Sequence, residues 1–483
     1  MKLLSGYKST YFSGIIVFLA VMFIFIVNKK YEYSILFGIV VLAVSMILIS
    51  FRWLLVIISF LTPLSISLSY FKDNSPLDIS LFTEPFLILM LGVLFVKFLM
   101  YNKLDKKLWT HPITISITAM LFWILISALN STLPLVSLKY FISKLWLILP
   151  VLIFGYYLFN KKVNINYFIW AQVVSIIIVV IISTFKLYLT FGLKKNSTHF
   201  AVIPFYDDHT AYGAILALFI PVVFAYIFIF KNKLNKLLAI FAFIMLMLGL
   251  ILSYSRASWL GIVLAIGILI LIKLKINFKY LAFFSILSGL FIYMFWFQII
   301  DTLEKNNQES SSNLSSHILS ITNISTDASN VERLNRWYCA IEMFKNKPLF
   351  GYGPGTYQFE YAPFQLNRMR TIISTNFGDV GNAHSEYLGA LAEQGLPGAV
   401  IFIILSIVIL YYSFTLYYKS TDNYIRFLAL GIGLGFITYF FHGLLNNFLT
   451  TDKIAIPFFG FATILITLDI KNNKTIEIKR KSE

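Results

Sequence analysis

Apolar runs long enough to cross a bilayer alternate with short polar links along most of this chain. A transmembrane helix needs about 20 mostly apolar residues, and about fourteen stretches meet that condition. They lie near 11–28, 33–50, 53–70, 80–99, 112–129, 140–160, 167–190, 211–230, 237–254, 257–273, 280–300, 396–417, 425–445 and 454–470. The pattern predicts an all-α integral membrane protein with about 12–14 transmembrane helices.

One long polar stretch, from Asp301 to Ala383, interrupts the apolar pattern. The chain is therefore predicted to have four parts. They are an N-terminal bundle of about eleven spans (1–300), a large loop with short helices (301–395), C-terminal transmembrane helices (396–470) and a basic tail (471–483).

Composition agrees with a membrane protein. Charged residues make up 13% of the chain, hydrophobic residues 59%, and the mean hydropathy is +0.80, whereas soluble domains carry about 25% charged residues. The formal net charge is +17, but most lysines lie in links between apolar runs, where the positive-inside rule accounts for them. Nucleic-acid binding is therefore not predicted. Cys339 is the single cysteine, which excludes an intrachain disulfide and a cysteine-based metal site.

Lysines mark one side of the predicted bundle. If the spans alternate in direction, five lysine-bearing segments share a side: 103–107, 161–162, 231–236, 273–279 and 471–481. The positive-inside rule assigns that side to the cytoplasm, and the minority exceptions are Lys29, Lys30, Lys194 and Lys195. Both termini are then predicted to be cytoplasmic and the large loop extracytoplasmic. The N-terminal segment lacks a small-residue cleavage site, which predicts a retained first span.

A helix is predicted within the large loop. Its apolar residues recur at helical spacing and form a stripe, which consists of Val331, Leu334, Trp337, Ile341 and Phe344. Such a stripe is expected to dock on the membrane surface or on the bundle. Ser329 or Asn330 suits the N-cap, and Pro348 ends the helix. Arg333 and Arg336, three residues apart, are predicted to project from one side.

Three arginines are candidate anion-binding groups. Arg256 lies between two apolar runs, beside Ser255 and Ser258. A guanidinium at such a place either snorkels to lipid headgroups or binds a phosphate with two hydrogen bonds. Arg333 and Arg336 either belong to a solvated helix face or bind an anion outside the membrane.

Two further features follow these arginines. Gly351, Gly353 and Gly355 form a glycine-rich turn, whose backbone N–H groups either bind an anion or only close a tight turn; the tight turn is preferred. His384 lies where the loop meets a span, and an imidazole there suits proton transfer, the alternative being a structural histidine. In a helix His384 and Glu386 point about 200° apart, so a His–carboxylate dyad is not predicted.

Other ionisable residues are secondary candidates. Asp207, Asp208 and His209 either ligate a divalent cation or end a solvated loop, and the loop end is preferred. Glu84 and His442 fall within or near the ends of predicted spans. Ionisable groups in lipid indicate function, but the sequence identifies no partner for either.

Three stretches together resemble the O-antigen ligase/polymerase family of bacterial membrane glycosyltransferases. They are SRASWLG at 255–261, ERLNRW with PLFGYGPG within 332–355, and AHSEYL with EQG within 383–395. Each stretch is short, but their order and spacing in a multi-span protein are fairly specific. The resemblance covers about 150 residues, from Ser253 to Gly398.

The resemblance implies a multi-pass protein of the bacterial inner membrane with a periplasmic loop. It implies transfer of a glycan from undecaprenyl diphosphate to an acceptor sugar hydroxyl on lipid A-core or on a growing glycan. No cofactor and no metal are expected, and in-line attack inverts the anomeric carbon. The implied roles are diphosphate binding for Arg256, Arg333 and Arg336, the catalytic base for His384, and support for Ser255, Gly353, Gly355 and Glu386.

Several functions stay open. A ligase that joins polysaccharide to lipid A-core is preferred to a polymerase of O-antigen, capsule or teichuronic type. A polysaccharide flippase or other secondary transporter is a more distant alternative, because transporters build their site near the bilayer midplane from internal repeats. The sequence shows no such repeat. A structural scaffold would leave the arginines and His384 without a role.

Overall fold

The computed structural model describes residues 53–70, 80–81, 83–101, 105–192, 198–275, 328–370, 374 and 381–482. Its helices are α1 (Trp53–Leu64), α2 (Glu84–Tyr101), α3 (Lys106–Trp109), α4 (Pro112–Leu129), α5 (Pro134–Leu158), α6 (Lys162–Phe191), α7 (Thr198–Val202), α8 (His209–Ile229), α9 (Lys233–Leu252), α10 (Arg256–Lys273), α11 (Ala328–Asn346), α12 (Tyr357–Glu360), α13 (Glu386–Lys419), α14 (Asn423–His442) and α15 (Asp452–Ser482). Two short strands, β1 (Ile66–Ser67) and β2 (Ser80–Leu81), pair antiparallel.

Long apolar helices form the membrane bundle. Within the described ranges, nine helices are long and apolar enough to span a membrane: α4, α5, α6, α8, α9, α10, α13, α14 and α15. Each overlaps a predicted span, so the prediction of an all-α integral membrane protein is confirmed. The predicted spans near 11–28, 33–50 and 280–300 lie outside the described residues.

The predicted span at 53–70 is wrong in its second half. Helix α1 ends at Leu64, and Ile66–Ser67 pairs with β2. The sequence from Ser65 alternates serine with apolar residues, a period-2 pattern that favours a strand. Asp452, at the start of α15, accepts a hydrogen bond from Ser65 Oγ at 2.8 Å, which ties this segment to the bundle.

Glycines let α14 approach α8 closely. A Cβ added at Gly431 would lie 2.8 Å from the Cβ of Ala225, and one at Gly435 would lie 2.4 Å from the carbonyl oxygen of Leu218. Close backbone approach supplies van der Waals contact, which drives helix association where lipid removes the hydrophobic effect. This packed pair ends at His442, the last residue of α14.

Three of the lysine-bearing links meet at one end of the bundle. The contacts that join them are Lys162 with Asp422, Lys471 with the carbonyl of Asn160, and His111 with Asp469. We call this the lysine end (residues 105–111, 160–162, 420–424 and 469–473). The opposite end, the loop end, comprises 130–133, 203–208, 253–256, 328–370, 381–385 and 443–451.

The predicted loop helix is present as α11, and it begins at Ala328, ahead of the predicted N-cap. Its buried face is not the apolar stripe. All five stripe residues are half-buried, whereas the buried residues are Glu332, Asn335, Arg336, Cys339, Ala340 and Met343. Polar groups can lie inside because they are paired with one another. Apolar periodicity alone therefore could not identify this face.

Candidate active site

The backbone of His384 is held between the large loop and the bundle. Its φ is +48°, a left-handed conformation that is uncommon outside glycine, although histidine adopts it more often than most residues. The His384 N–H donates to Asn382 Oδ1 at 2.9 Å, and its carbonyl accepts from Trp337 Nε1 at 3.2 Å. Ser385 then caps α13 by accepting from the N–H of Leu388. These contacts place the imidazole at the loop–span junction.

The His384 ring is neutral near pH 7. Its side chain hydrogen-bonds that of Asn446. Burial lowers the pKa of His384 to about 3, and the charges on Arg333 and Arg336 act in the same direction. A neutral ring keeps one nitrogen lone pair, which is what a proton acceptor needs.

The Arg336 side chain lies in the interior of the large loop. Its Nε donates to Glu332 Oε1 at 2.7 Å, its Nη1 donates to the carbonyl of Asn382 at 3.1 Å, and its guanidinium stacks on Tyr361 with the carbon 5.1 Å from the ring centroid. A Cβ added at Gly381 would lie 1.6 Å from Nη1. Most of the hydrogen-bonding and stacking capacity of this guanidinium is therefore used by protein partners.

Arg333 has different surroundings. It is half-buried, and its positive charge acts on both His384 and His442. Its charge therefore reaches both histidines at the loop end. The sequence prediction that both arginines project from one side does not capture this difference.

A chain of hydrogen bonds connects the start of α10 to His384. Arg256 is the first residue of α10 and is half-buried. The chain runs from Ser255 Oγ to Ser258 Oγ (2.9 Å), from Ser258 Oγ to His442 Nδ1 (3.2 Å), and from His442 Nε2 to Asn446 Nδ2 (3.1 Å), and Asn446 then bonds His384. Residues from two distant stretches of the chain thus meet at the loop end.

A cavity of about 700 Å³ lies beside His384, and Asn382, Ala383 and Ser385 line it. Sites for small molecules measure about 300–1,000 Å³, so the volume suits a ligand of several rings. Among its lining residues are four carboxylates and one ammonium group, which belong to Asp207, Asp208, Glu386, Glu393 and Lys144.

Two of these lining residues, Glu386 and Lys144, also form hydrogen bonds within the loop end. Glu386 Oε1 accepts from the Tyr439 hydroxyl at 2.6 Å and from the N–H groups of Phe448 and Leu449 at 2.8 Å each. Lys144 Nζ donates to the carbonyl of Leu449 at 2.8 Å. Glu386 thus anchors the segment after α14, while the His384 ring bonds Asn446.

The glycine-rich turn is a tight packed connection. Gly351, Gly353 and Gly355 have φ values of +67°, +116° and +77°. A Cβ added at Gly353 would lie 1.9 Å from Ser131 Oγ. The N–H of Gly353 donates to the carbonyl of Glu393 at 2.8 Å, and the N–H of Gly355 donates to its carboxylate. These N–H groups therefore serve protein acceptors, a backbone carbonyl and a carboxylate of Glu393.

The Asp207–His209 segment ends a loop. Asp208 Oδ1 accepts from the N–H groups of Thr210 and Ala211 and so caps α8. In the described part of the chain, no group of three or more His, Cys, Asp or Glu residues could hold a metal ion.

Two residues of the site did not follow from sequence reasoning. Asn446 was missed because its partners, His384 and His442, come together only in the fold. Lys144 lies within a predicted span, and a cation inside an apolar run was a usable signal.

The fold and the site define a multi-span membrane protein with arginines, a neutral histidine and a cavity at one end of the bundle. Residues 240–403 match the protein family described as O-antigen ligase. This match confirms the predicted resemblance to the O-antigen ligase family over this stretch of the chain. The range includes Arg256, Arg333 and His384.

A second similarity is to an uncharacterized protein of Haemophilus influenzae, which is 26% identical over 204 residues. The match covers 41% of this chain and 48% of that protein. The chain therefore spans about half the length of this curated relative, whose name assigns no activity.

Proposed function

We propose that this protein is a membrane glycosyltransferase that moves a glycan from undecaprenyl diphosphate to an acceptor sugar hydroxyl. Among the candidate activities, we prefer that of an O-antigen ligase with lipid A-core as acceptor. The family match supports a membrane O-antigen ligase-like role. The observation that carries the proposal is the position of His384. Its neutral ring lies near the charge of Arg333, and the neighbouring residues Ala383 and Ser385 line the cavity.

Arg333 and Arg256 bind the donor diphosphate in this proposal. A polyprenyl diphosphate is already a good leaving group, so its departure needs neutralisation of charge more than a general acid. A guanidinium supplies paired hydrogen bonds of fixed geometry to phosphate oxygens. Arg336 contributes mainly by fixing α11, because Glu332, Asn382 and Tyr361 already engage it.

His384 takes the proton of the acceptor hydroxyl. As the hydroxyl oxygen bonds to the anomeric carbon, the bond from that carbon to the diphosphate oxygen breaks, and in-line attack inverts the configuration. The arginine charges lower the pKa of His384, and a bound diphosphate offsets those charges. The base therefore strengthens when the donor is in place.

The cavity accommodates the glycan. Its four carboxylates against one ammonium group disfavour an anionic diphosphate, but carboxylate oxygens accept hydrogen bonds from sugar hydroxyls. Phe402 and Met120 add apolar lining that suits the faces of sugar rings. The diphosphate and the glycan thus occupy sides of His384 that differ in charge.

The loop end faces the periplasm and the lysine end faces the cytoplasm. The clustering of lysine-bearing links at one end of the bundle supports this orientation. Protease protection of the 328–370 segment in sealed vesicles of known sidedness measures it. Cleavage of this segment only from the cytoplasmic face would contradict the assignment.

The acceptor is tested with purified protein and a lipid-linked glycan, with and without lipid A-core. A ligase forms glycosylated lipid A-core, whereas a polymerase lengthens the lipid-linked glycan without it. Transport of the lipid-linked glycan in proteoliposomes, with no new glycosidic bond under either condition, would contradict the proposal and favour a flippase.

A further inference from the structure

Helix α13 is interrupted at Gly395, beside the cavity. Gly395 has a φ of +69° and a ψ of −170°. On either side of it, backbone groups bond to other parts of the chain. The carbonyl of Gln394 accepts from Trp123 Nε1 at 2.8 Å, and the N–H of Leu396 donates to the carbonyl of Pro348 at 2.8 Å. These contacts fix the backbone at Gln394, whose side chain lines the cavity.

The side-chain amide of Gln394 is buried against the cavity without a protein partner. Gln394 is 8% exposed, and within the described ranges its amide makes no hydrogen bond. Buried polar groups are nearly always paired, because an unpaired group loses its hydration and gains nothing in return. The amide therefore indicates a polar partner that enters the cavity.

Lys144 presents further unused donors to the same cavity. It is 4% exposed and lies in α5, a membrane-spanning helix. Its Nζ donates to the carbonyl of Leu449 at 2.8 Å and lies 5.1 Å from the centroid of the Tyr140 ring. An ammonium group has three donors, and no other hydrogen bond or ion pair of Lys144 occurs in the described part of the chain. A cation inside a span indicates function.

The carboxylate of Glu386 is only half used by the protein. All three of its hydrogen bonds go to Oε1, and among the described residues no donor bonds Oε2. The N–H of Leu449 bonds Glu386, while the carbonyl of Leu449 bonds Lys144. One backbone residue thus holds a cation and an anion in place, and each keeps hydrogen-bonding capacity toward the cavity.

A sugar hydroxyl matches this mixture of donors and acceptors. A hydroxyl accepts from an ammonium or amide N–H and donates to a carboxylate oxygen. A phosphate only accepts, and here it would meet four carboxylates. A protonated amine only donates, and it would be repelled by Lys144. The Tyr140 ring, which also lines the cavity, adds an aromatic surface.

We propose that Lys144, Glu386 and Gln394 bind the hydroxyl groups of an uncharged sugar in the donor glycan, and that this site disfavours acidic sugars. The inference rests on the proposed transfer of a glycan. The four lining carboxylates against one ammonium group supply the selection by charge. Gln394 belongs to the EQG stretch at 393–395, to which the chemistry at His384 assigns no role.

The first test replaces two buried glutamines. Gln172 is the matched control: it is 0% exposed, its amide has no hydrogen-bond partner, and it is absent from the cavity lining. The probe is a polyprenyl-diphosphate-linked trisaccharide of neutral hexoses. Gln394→Leu should raise its KM about threefold to tenfold, whereas Gln172→Leu should leave KM unchanged. Neither variant should have a lower melting temperature, because neither loses a bond to protein. An unchanged KM in Gln394→Leu would overturn the proposal.

The second test concerns charge. Wild type should use the neutral donor with a kcat/KM about tenfold or more above that of the same donor carrying one hexuronate. Lys144→Gln keeps a donor for the carbonyl of Leu449 but makes the cavity more negative, so this ratio should grow about threefold or more. Lys345→Gln, at an exposed position on α11, should leave the ratio unchanged. Equal use of the acidic donor by wild type, or an unchanged ratio in Lys144→Gln, would overturn the selection by charge.

Binding of the free neutral trisaccharide to the protein in nanodiscs, measured by NMR, separates the two proposals. If Gln394→Leu weakens this binding but wild type forms no glycosidic bond, the sugar site stands and the proposed transfer fails. If wild type transfers the glycan and Gln394→Leu changes neither this binding nor KM, the transfer stands and the sugar site fails. A rise in the KM of the acceptor alone would overturn the assignment of the site to the donor glycan.

Discussion

Each end of the bundle places a histidine among polar partners, and the two histidines have different surroundings: His111 is buried and His384 is half-buried. At the lysine end, His111 Nδ1 accepts from the N–H of Ile113 at 3.2 Å, and Nε2 lies 3.5 Å from Asp469. That ring caps α4 and packs on Tyr412. At the loop end, His384 has left-handed backbone, a hydrogen bond to the Asn446 side chain and a cavity beside it. Burial of a histidine therefore does not mark a site, whereas convergence of distant segments on a cavity does.

The largest expected difference between the ends concerns transfer itself. His384→Asn should reduce turnover about 10³-fold or more, because it removes the proton acceptor. His111→Asn should leave turnover near wild type, since asparagine is itself a good N-cap. Turnover of purified variants, each shown to be inserted and folded, measures this. Near-normal transfer by a stable His384→Asn variant would remove His384 from its role.

The next difference separates the two arginines of α11. Arg333→Ala should abolish transfer while the protein still inserts and folds. Arg336→Ala removes the cation that faces the buried Glu332 carboxylate, and breaking such a pair costs about 3–5 kcal/mol, so the loop should become protease-sensitive. Lys345→Ala is the matched control, because its pairing with Glu342 is exposed and contributes about 0–1 kcal/mol.

Each of the two arginine variants has an outcome that would contradict the account. Normal transfer by Arg333→Ala would show that Arg333 is not the main ligand of the diphosphate in the loop. A stable Arg336→Ala protein that lacks only activity would show that Arg336, and not Arg333, contacts the substrate.

A smaller effect is expected in the pH dependence of stability. Histidine titrates near pH 6.5 in an unfolded chain, and the pKa of folded His384 is about 3. Between these values the unfolded state binds the extra proton, so His384 lowers stability as the pH falls through this window. The melting temperature of wild type should therefore fall more steeply from pH 6.5 to 4 than that of His384→Asn. Parallel curves would contradict the low pKa.

The sequence predicted the membrane bundle well because long apolar runs have few alternatives to helix. It also predicted α11 and brought Arg256, Arg333 and His384 into one hypothesis through three short motifs. It could not predict that Arg336 turns inward, since that depends on Glu332 and Tyr361 meeting inside the loop. The contacts of Asn446 with His442 and His384 likewise form only in the folded chain. Hydrophobic periodicity indicates which face of a helix is apolar, but it does not indicate which polar groups pair in the fold.

The central claim, that guanidinium groups from two segments share one diphosphate beside His384, is tested most directly by binding. The affinity for undecaprenyl diphosphate in nanodiscs should be measured for wild type, Arg256→Ala, Arg333→Ala and the double variant. Each single substitution should weaken binding about tenfold or more. The double variant should lose less than the product of the two, because both groups hold the same ligand. Full affinity in both single variants would contradict the account.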